Sequence, residues 1–167
     1  MRRKRVLVLD TSSIINGYPA EGTLENFTVP EVVEEAKATV TASSIGVLID
    51  RGVLKVWDAS PQSEKSVEKK LGEIGGELST TDIRLVALAM DLAGRGMKPV
   101  LLTDDYGLQN LAGVMDLEFK SVATSGIRSV FKWKMICPAC GKACSEEDRL
   151  CPDCGNALRK TVYRRPL

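Results

Sequence analysis

Residues 6–13 read Val-Leu-Val-Leu-Asp-Thr-Ser-Ser, and residues 99–105 read Pro-Val-Leu-Leu-Thr-Asp-Asp. Each is a short, unbroken apolar run that ends in acid. Such a run predicts a strand buried on both faces, the kind found in parallel sheets. Between the two runs the pattern turns helical. Pro30 suits a first helical turn, and apolar positions recur from Val32 and Val33 through Ala36 to Val40 and beyond. Residues 54–57 read as another strand, and residues 62–78 as a charged helix that stops at Gly75-Gly76. Ser79-Thr-Thr-Asp82 opens a further helix that Gly94 and Gly96 close. A short helix from Tyr106 and a strand near residues 117–120 complete the body. Residues 16–28 read as a loop, and residues 121–130 as a linker. Strands alternating with helices predict an α/β domain with a mainly parallel sheet flanked by helices. We place it over residues 1–125, with residues 126–167 as linker, small appendage and basic tail.

Composition narrows the chemistry. The 167 residues include no histidine, which removes the commonest general base and metal ligand. Ser-His-Asp and Cys-His hydrolases, HExxH metalloproteases and C2H2 zinc fingers are excluded, as are ribonucleases built on a histidine pair. The net charge of +1 is a cancellation: residues 128–167 hold nine Lys/Arg against four Asp/Glu, so they carry +5 and leave −4 for the rest. An acidic body with a basic tail suits a catalytic unit that grips nucleic acid, although a solvated charged surface has the same composition. The apolar run after Met1-Arg-Arg-Lys-Arg5 is too short for a secretory signal, and no stretch is long enough to span a bilayer. A cytoplasmic setting is expected.

All five cysteines lie between positions 137 and 154. Cys137-Pro-Ala-Cys140-Gly and Cys151-Pro-Asp-Cys154-Gly are separated by ten residues, which predicts a four-cysteine zinc ribbon with a closed, structural Zn²⁺ site. The same spacing also suits iron. So small a segment buries too little apolar surface to fold without metal, so chelation is expected to unfold residues 131–160 and spare the body. Cys144 falls outside both pairs and reads as a spare thiol.

Asp10 and Asp105 each follow a buried-type strand, at the end of a parallel sheet where ligands bind beside a topological switch point. Glu34 or Glu35 and Asp82 lie on helices nearby in this scheme. Each acid also has a plain structural reading. Asp10 and Asp105 could cap helices, Asp82 could close a capping box, and Glu34 and Glu35 could be a solvated face. Clustered, they would repel unless a hard cation such as Mg²⁺ or Mn²⁺ sat among them, and such a site activates water without histidine.

Val-Leu-Asp10-Thr-Ser-Ser, Val-Pro-Glu-Val-Val-Glu-Glu35, Leu-Ser-Thr-Thr-Asp82 and Leu-Leu-Thr-Asp-Asp105-Tyr-Gly-Leu-Gln-Asn resemble, in order, the four acidic motifs of PIN-domain nucleases. With the CPxCG ribbon behind them they resemble the NIN-one-binding protein family, archaeal type. That resemblance implies an endoribonuclease that cuts precursor rRNA at the 3′ end of the small-subunit rRNA. Its setting would be the immature small ribosomal subunit with other ribosome-assembly factors. It further implies Asp10, Glu35, Asp82 and Asp105 as the catalytic quartet, with Ser12 and Asp104 as additional candidates for holding Mg²⁺ or Mn²⁺. Glu35 and Asp105 fit the family spacing better than Glu34 and Asp104.

For RNA binding the expected groups are Lys132, Lys134, Arg159, Lys160, Arg164 and Arg165, and a second cluster formed by Arg2, Arg3, Lys4 and Arg5. Trp133 and Tyr163 are either base-stacking platforms or packing for the ribbon. Three rivals share some of these features. A haloacid-dehalogenase-type phosphatase wants an Asp where Ser12 stands. A non-catalytic RNA-binding assembly factor would keep the fold without the reaction. A toxin-type PIN ribonuclease would share the chemistry without the ribbon.

Overall fold

The computed structural model describes residues 3–18, 24–39, 42–145 and 148–166. Fourteen elements follow one another among them: β1 (Arg5–Leu9), α1 (Thr11–Ile15), β2 (Glu25–Thr28), α2 (Pro30–Thr39), α3 (Ala42–Asp50), β3 (Leu54–Val56), α4 (Pro61–Ile74), α5 (Thr80–Gly94), β4 (Lys98–Leu102), α6 (Tyr106–Val114), β5 (Glu118–Lys120), β6 (Ser129–Ile136), β7 (Ala143–Cys144) and β8 (Arg159–Pro166). The first five strands form a parallel sheet in the order β3-β2-β1-β4-β5. Strand order reverses between β1 and β4, so the switch point lies beside Asp10 and Asp105.

Burial explains why the two apolar runs became the centre of the sheet. Val6, Val8, Leu9 and Leu101 are fully buried, and Leu85, Leu88, Leu108 and Leu111 from the flanking helices complete the core. Each such side chain contributes about 1.5–3 kcal/mol. The helices begin where the sequence can satisfy their free amides. Ser60 accepts from Ser63 N ahead of Pro61, and Ser79 and Asp82 cap α5 reciprocally. Gly75, at φ +68°, ends α4 in the left-handed conformation. Among the described residues no helix is long and apolar enough to cross a membrane.

Three expectations are corrected. The expected loop at 16–28 contains β2, whose Glu-Asn-Phe-Thr shows no apolar run. Its polar groups are satisfied by their neighbours: Thr28 Oγ donates to Leu9 O at 2.8 Å, and Asn26 Nδ2 to Val53 O at 3.1 Å. The helix expected from Val32 through Val40 and beyond is two helices, α2 and α3, with Val40 outside the described residues. The expected linker is fastened to the body. Buried Gln109 donates to Thr103 O and Ser121 Oγ, both at 2.9 Å, and accepts from Ile127 N at 2.9 Å.

The remaining strands form an antiparallel sheet in the order β7-β6-β8, in which β6 and β8 pair over eight residues. This hairpin docks on α4 and α6. Asn110 both donates to Phe131 O at 2.9 Å and accepts from Phe131 N, completing one edge of β6 as a strand would. Arg165 donates to Gly113 O at 3.1 Å from the other side of the hairpin.

Candidate active site

Asp10 sits at the carboxyl end of β1, 9% exposed, and caps α1. Its Oδ1 accepts from Thr11 N at 2.6 Å, and its Oδ2 accepts from Ser12 Oγ at 3.0 Å and Thr103 Oγ at 2.7 Å. The parallel β1–β4 register makes that last bond possible, since Leu9 pairs with Leu102 and Asp10 N donates to Leu102 O at 3.1 Å. Thr103 is fully buried and also accepts from Asp105 N at 3.1 Å. One hydroxyl thus ties the ends of both central strands together.

Asp105 caps α6, its Oδ1 accepting from Leu108 N at 2.7 Å. Asp82 closes the capping box of α5, its Oδ2 accepting from Ser79 N at 3.1 Å and Ser79 Oγ at 2.8 Å. Burial pushes the Asp82 carboxyl above its usual range; the Ser79 hydrogen bonds oppose that, and the negative charges of Asp10 and Asp105 add to it. Glu35 bridges two elements: Oε2 accepts from Thr11 Oγ at 2.7 Å and Oε1 from Thr81 Oγ at 2.9 Å. Glu34 instead faces solvent with its side chain 72% exposed, paired to Lys37 at 2.7 Å.

The capping readings of Asp10, Asp82 and Asp105 therefore hold, and they do not compete with a role in the cleft. A cap occupies one face of a carboxylate and fixes its direction, which leaves lone pairs for another ligand. Asp104 differs. Its carboxylate accepts from the Val122, Ala123 and Thr124 amides and from Thr124 Oγ, all at 3.0–3.1 Å. Against the cost of desolvation, the Thr124, Ala123 and Val122 amides hold it below the ordinary carboxylate range. Asp104 thus anchors the 122–124 turn, mostly through Oδ1. Ser12 stays in the cleft, bonded to Asp10 and accepting from Asp104 N at 3.3 Å.

Sequence reading missed Thr11, Thr81 and Thr103, the hydroxyls that orient Glu35 and Asp10. A signal existed: a threonine adjoins an acid in each of Asp10-Thr11, Thr81-Asp82 and Thr103-Asp104. The donor set fits a hard cation. Asp10, Glu35, Asp82 and Asp105 offer the hard oxygen donors such an ion takes, and the charges of Asp10 and Asp105 add to the effect of burial on Asp82, although no three of these carboxylates bring their oxygens within 4.8 Å of one another as the cysteines of the appendage do.

The second candidate metal centre is in the appendage. The Sγ atoms of Cys137, Cys140, Cys151 and Cys154 all lie within 4.8 Å of one another. Two matching turns present them. Gly141 N donates to Cys137 O and Gly155 N to Cys151 O, both at 2.9 Å, with the glycines at φ +72° and +69°. The donor set fits Zn²⁺, because four crowded thiols cannot all ionise without a cation. Asn156 beside Cys154 lowers that thiol to about 6. For Cys140 the Lys142 amide works downward, but sharing with Cys137 and Cys151 raises it to about 12. Cys144 sits on β7, its Sγ 3.7 Å from Lys142 O, outside the cluster.

The expected RNA-binding groups divide. Arg3, Lys4 and Arg5 lie at the amino end of β1, the opposite end of the sheet from the acids, and Arg2 lies outside the described residues. Lys4 pairs with Glu25 at 3.0 Å, and Arg5 with Glu118. Lys4 and Arg5 thus clip β1 to other strands of the sheet. Arg165 likewise docks the hairpin, pairing with Asp116 as well as Gly113. Lys132, Lys134, Arg159, Lys160 and Arg164 remain on the hairpin, with Lys160 Nζ 5.3 Å from the Trp133 ring centre and Arg164 5.3 Å from that of Phe131. Lys134 lies 4.8 Å from the Tyr163 ring on the other face.

A family model described as the PIN domain of ribonuclease matches residues 7–92. Endoribonuclease Nob1 of Methanothermobacter thermautotrophicus is 36% identical over 161 residues, 94% of this chain and 93% of that protein. Endoribonuclease Nob1 of Pyrococcus abyssi is 36% identical over 170 residues, 99% of this chain and 98% of its own length. Ribonuclease VapC3 of Aeropyrum pernix is 34% identical over 116 residues, 68% of this chain and 84% of that protein.

Proposed function

The chain belongs to the Nob1 family of PIN-domain endoribonucleases, and from that premise we propose that it cuts single-stranded precursor rRNA at the 3′ end of the small-subunit rRNA, by divalent-metal-dependent hydrolysis. The immature small ribosomal subunit and its assembly factors, in the cytoplasm, are the setting this reading carries with it. The observation that carries it is the set of oriented carboxylates beside the switch point of the sheet: Asp10 held by Thr11, Ser12 and Thr103, Asp82 and Asp105 fixed at the starts of α5 and α6, and Glu35 held by two threonines.

Asp10 and Asp105 would hold Mg²⁺ or Mn²⁺ most directly, with Glu35 and Asp82 contributing directly or through water. A divalent ion bound there lowers the pKa of water and offsets charge on the phosphoryl oxygens. The chain's own part is positional. Thr11 N–H, Ser12 and Thr103 fix the Asp10 carboxylate, so its direction does not change when charge develops in front of it. Thr11 and Thr81 hold Glu35 toward the same cleft, which turns a flexible side chain into a fixed one. One Zn²⁺ held by Cys137, Cys140, Cys151 and Cys154 would serve as structure only, because four thiolates leave no open position.

Attack by water leaves a 3′-hydroxyl upstream and a 5′-phosphate downstream. The test is incubation with RNA spanning the small-subunit 3′ end, with and without Mn²⁺, followed by mapping of the ends. Asp10→Asn is expected to lower cleavage more than about a hundredfold while RNA is still bound. A 2′,3′-cyclic phosphate product, or cleavage retained in Asp10→Asn, contradicts this mechanism. Intact RNA with the wild-type chain and Mn²⁺ would favour a non-catalytic assembly factor.

A further inference from the structure

An apolar groove of about 300 Å³ runs between the body and the hairpin, beside the acidic cleft. Leu71 and Leu78 from the α4 side, Tyr106 at the start of α6, and Phe131 and Trp133 on β6 form its walls. Two of these aromatics are open to solvent: Tyr106 is 54% and Trp133 40% exposed. Two residues of the groove adjoin the acidic site in the chain. Leu78 precedes Ser79, whose hydroxyl holds Asp82, and Tyr106 follows Asp105. At Gly107 the two meet, since a Cβ there would lie 3.0 Å from Leu78 Cδ2 and 3.1 Å from Asp105 Oδ1.

We propose that this groove is a base-binding subsite, in which one unstacked nucleobase next to the bond to be cut is held against Trp133 and Tyr106. The inference rests on the RNA-cleaving function proposed above. The charges around the groove choose the occupant. Lys160 and Arg164 stand on the hairpin face that carries Phe131 and Trp133, because the antiparallel register pairs Arg164 with Phe131 and Lys160 with Met135. Glu77 sits on the groove wall itself. A phosphate inside would meet that carboxylate, whereas a base inside with its phosphates near Lys160 and Arg164 satisfies both signs. Bases in a duplex are stacked on their neighbours and cannot enter, so the subsite also makes cleavage specific for single strands. Tyr163 takes no part, as it lies on the opposite face with Lys132 and Lys134.

The test measures fluorescence anisotropy of a labelled single-stranded RNA spanning the small-subunit 3′ end, bound to the full chain carrying Asp10→Asn to prevent cutting. One abasic nucleotide is walked through the RNA. At one position near the cut, its presence is expected to weaken binding about tenfold. Trp133→Ala is expected to weaken binding of intact RNA about tenfold, and the two losses should not add. Trp133→Phe should restore most of the affinity. Trp133→Leu fills the groove without a stacking plane and should behave as Trp133→Ala; wild-type affinity in Trp133→Leu would make the ring mere packing and overturn the proposal. So would affinity indifferent to every abasic position, or losses that add at all of them. Cleavage without abasic sensitivity overturns the subsite and leaves the nuclease reading standing. Abasic sensitivity without cleavage by the wild-type chain does the reverse.

Discussion

The two candidate metal centres are built by opposite means. The carboxylate cleft stands at the buried ends of the central strands, and every acid in it is already oriented by protein donors such as Thr103, Ser79 and Thr81. The cysteine cluster stands on two tight turns, and among the described residues beyond 128 the buried apolar side chains are Val130, Cys137 and Cys151. Two of those three are the cluster's own ligands. In the first region the fold makes the site; in the second the metal has to make the fold.

Zinc removal should expose that difference most strongly. With a structural metal supplying on the order of 10 kcal/mol, chelation or Cys137→Ser is expected to abolish order over residues 137–158. The β6–β8 strands should stay in place, because Asn110 and Arg165 fasten them to α6. This narrows the segment 131–160 expected from sequence, since the docking of β6 is invisible there. Amide exchange before and after chelation reads it out. Loss of protection in β1 and β4 would erase the distinction between the two regions.

A smaller effect separates the regions by backbone strain. Gly126 and Gly141 both have positive φ, +65° and +72°. At Gly141 a Cβ meets nothing within 4 Å, so Gly141→Ala should cost only the left-handed conformation, about 1 kcal/mol. At Gly126 the Cβ would lie 2.5 Å from Ser121 Oγ and 3.3 Å from Gln109 Oε1. Gly126→Ala should therefore cost about 2–3 kcal/mol, because the buried Gln109 network must shift. Thermal melts of both variants with zinc bound give the comparison, and equal losses would show the 121–127 loop to be as loosely held as the turns of the appendage.

What the sequence made legible follows from the same contrast. The strands carrying Asp10 and Asp105 announce themselves because their burial is apolar and continuous, and the cysteine turns because their spacing is the site. β2 was hidden because its burial is settled by hydrogen bonds from Thr28 to β1 and from Asn26 to Val53, just before β3. The pairing of Lys4 with Glu25 and of Arg5 with Glu118 was not visible, because these acids lie far along the chain. Asp104 and Asp105 could be told apart by family spacing, but the physical reason is the 122–124 turn, which Asp104 holds across 18–20 residues of sequence. Local pattern shows what an element buries and says nothing of which distant amide a carboxylate will hold.

The smallest expected effect tests whether the cleft, although fully built, is strained until metal arrives. Burial, and then the charges of Asp10 and Asp105, raise the Asp82 carboxyl above its ordinary value of 3.8 despite the bonds from Ser79. A carboxyl whose pKa is raised by folding lends stability while it is protonated, below the ordinary value, and loses it as pH rises through the raised one. Above that raised value, ionised Asp82 is expected to destabilise the metal-free chain. Asp82→Asn keeps an oxygen for the Ser79 bonds and removes the charge, so the metal-free variant should melt a few degrees higher than the wild type at pH 7. The advantage should vanish in acid, where both side chains are neutral. Mn²⁺ should reverse the order at pH 7, because it stabilises only the chain that can bind it tightly. If metal-free Asp82→Asn melts lower at neutral pH, the capping bonds outweigh the repulsion, and the cleft is at rest without its ion.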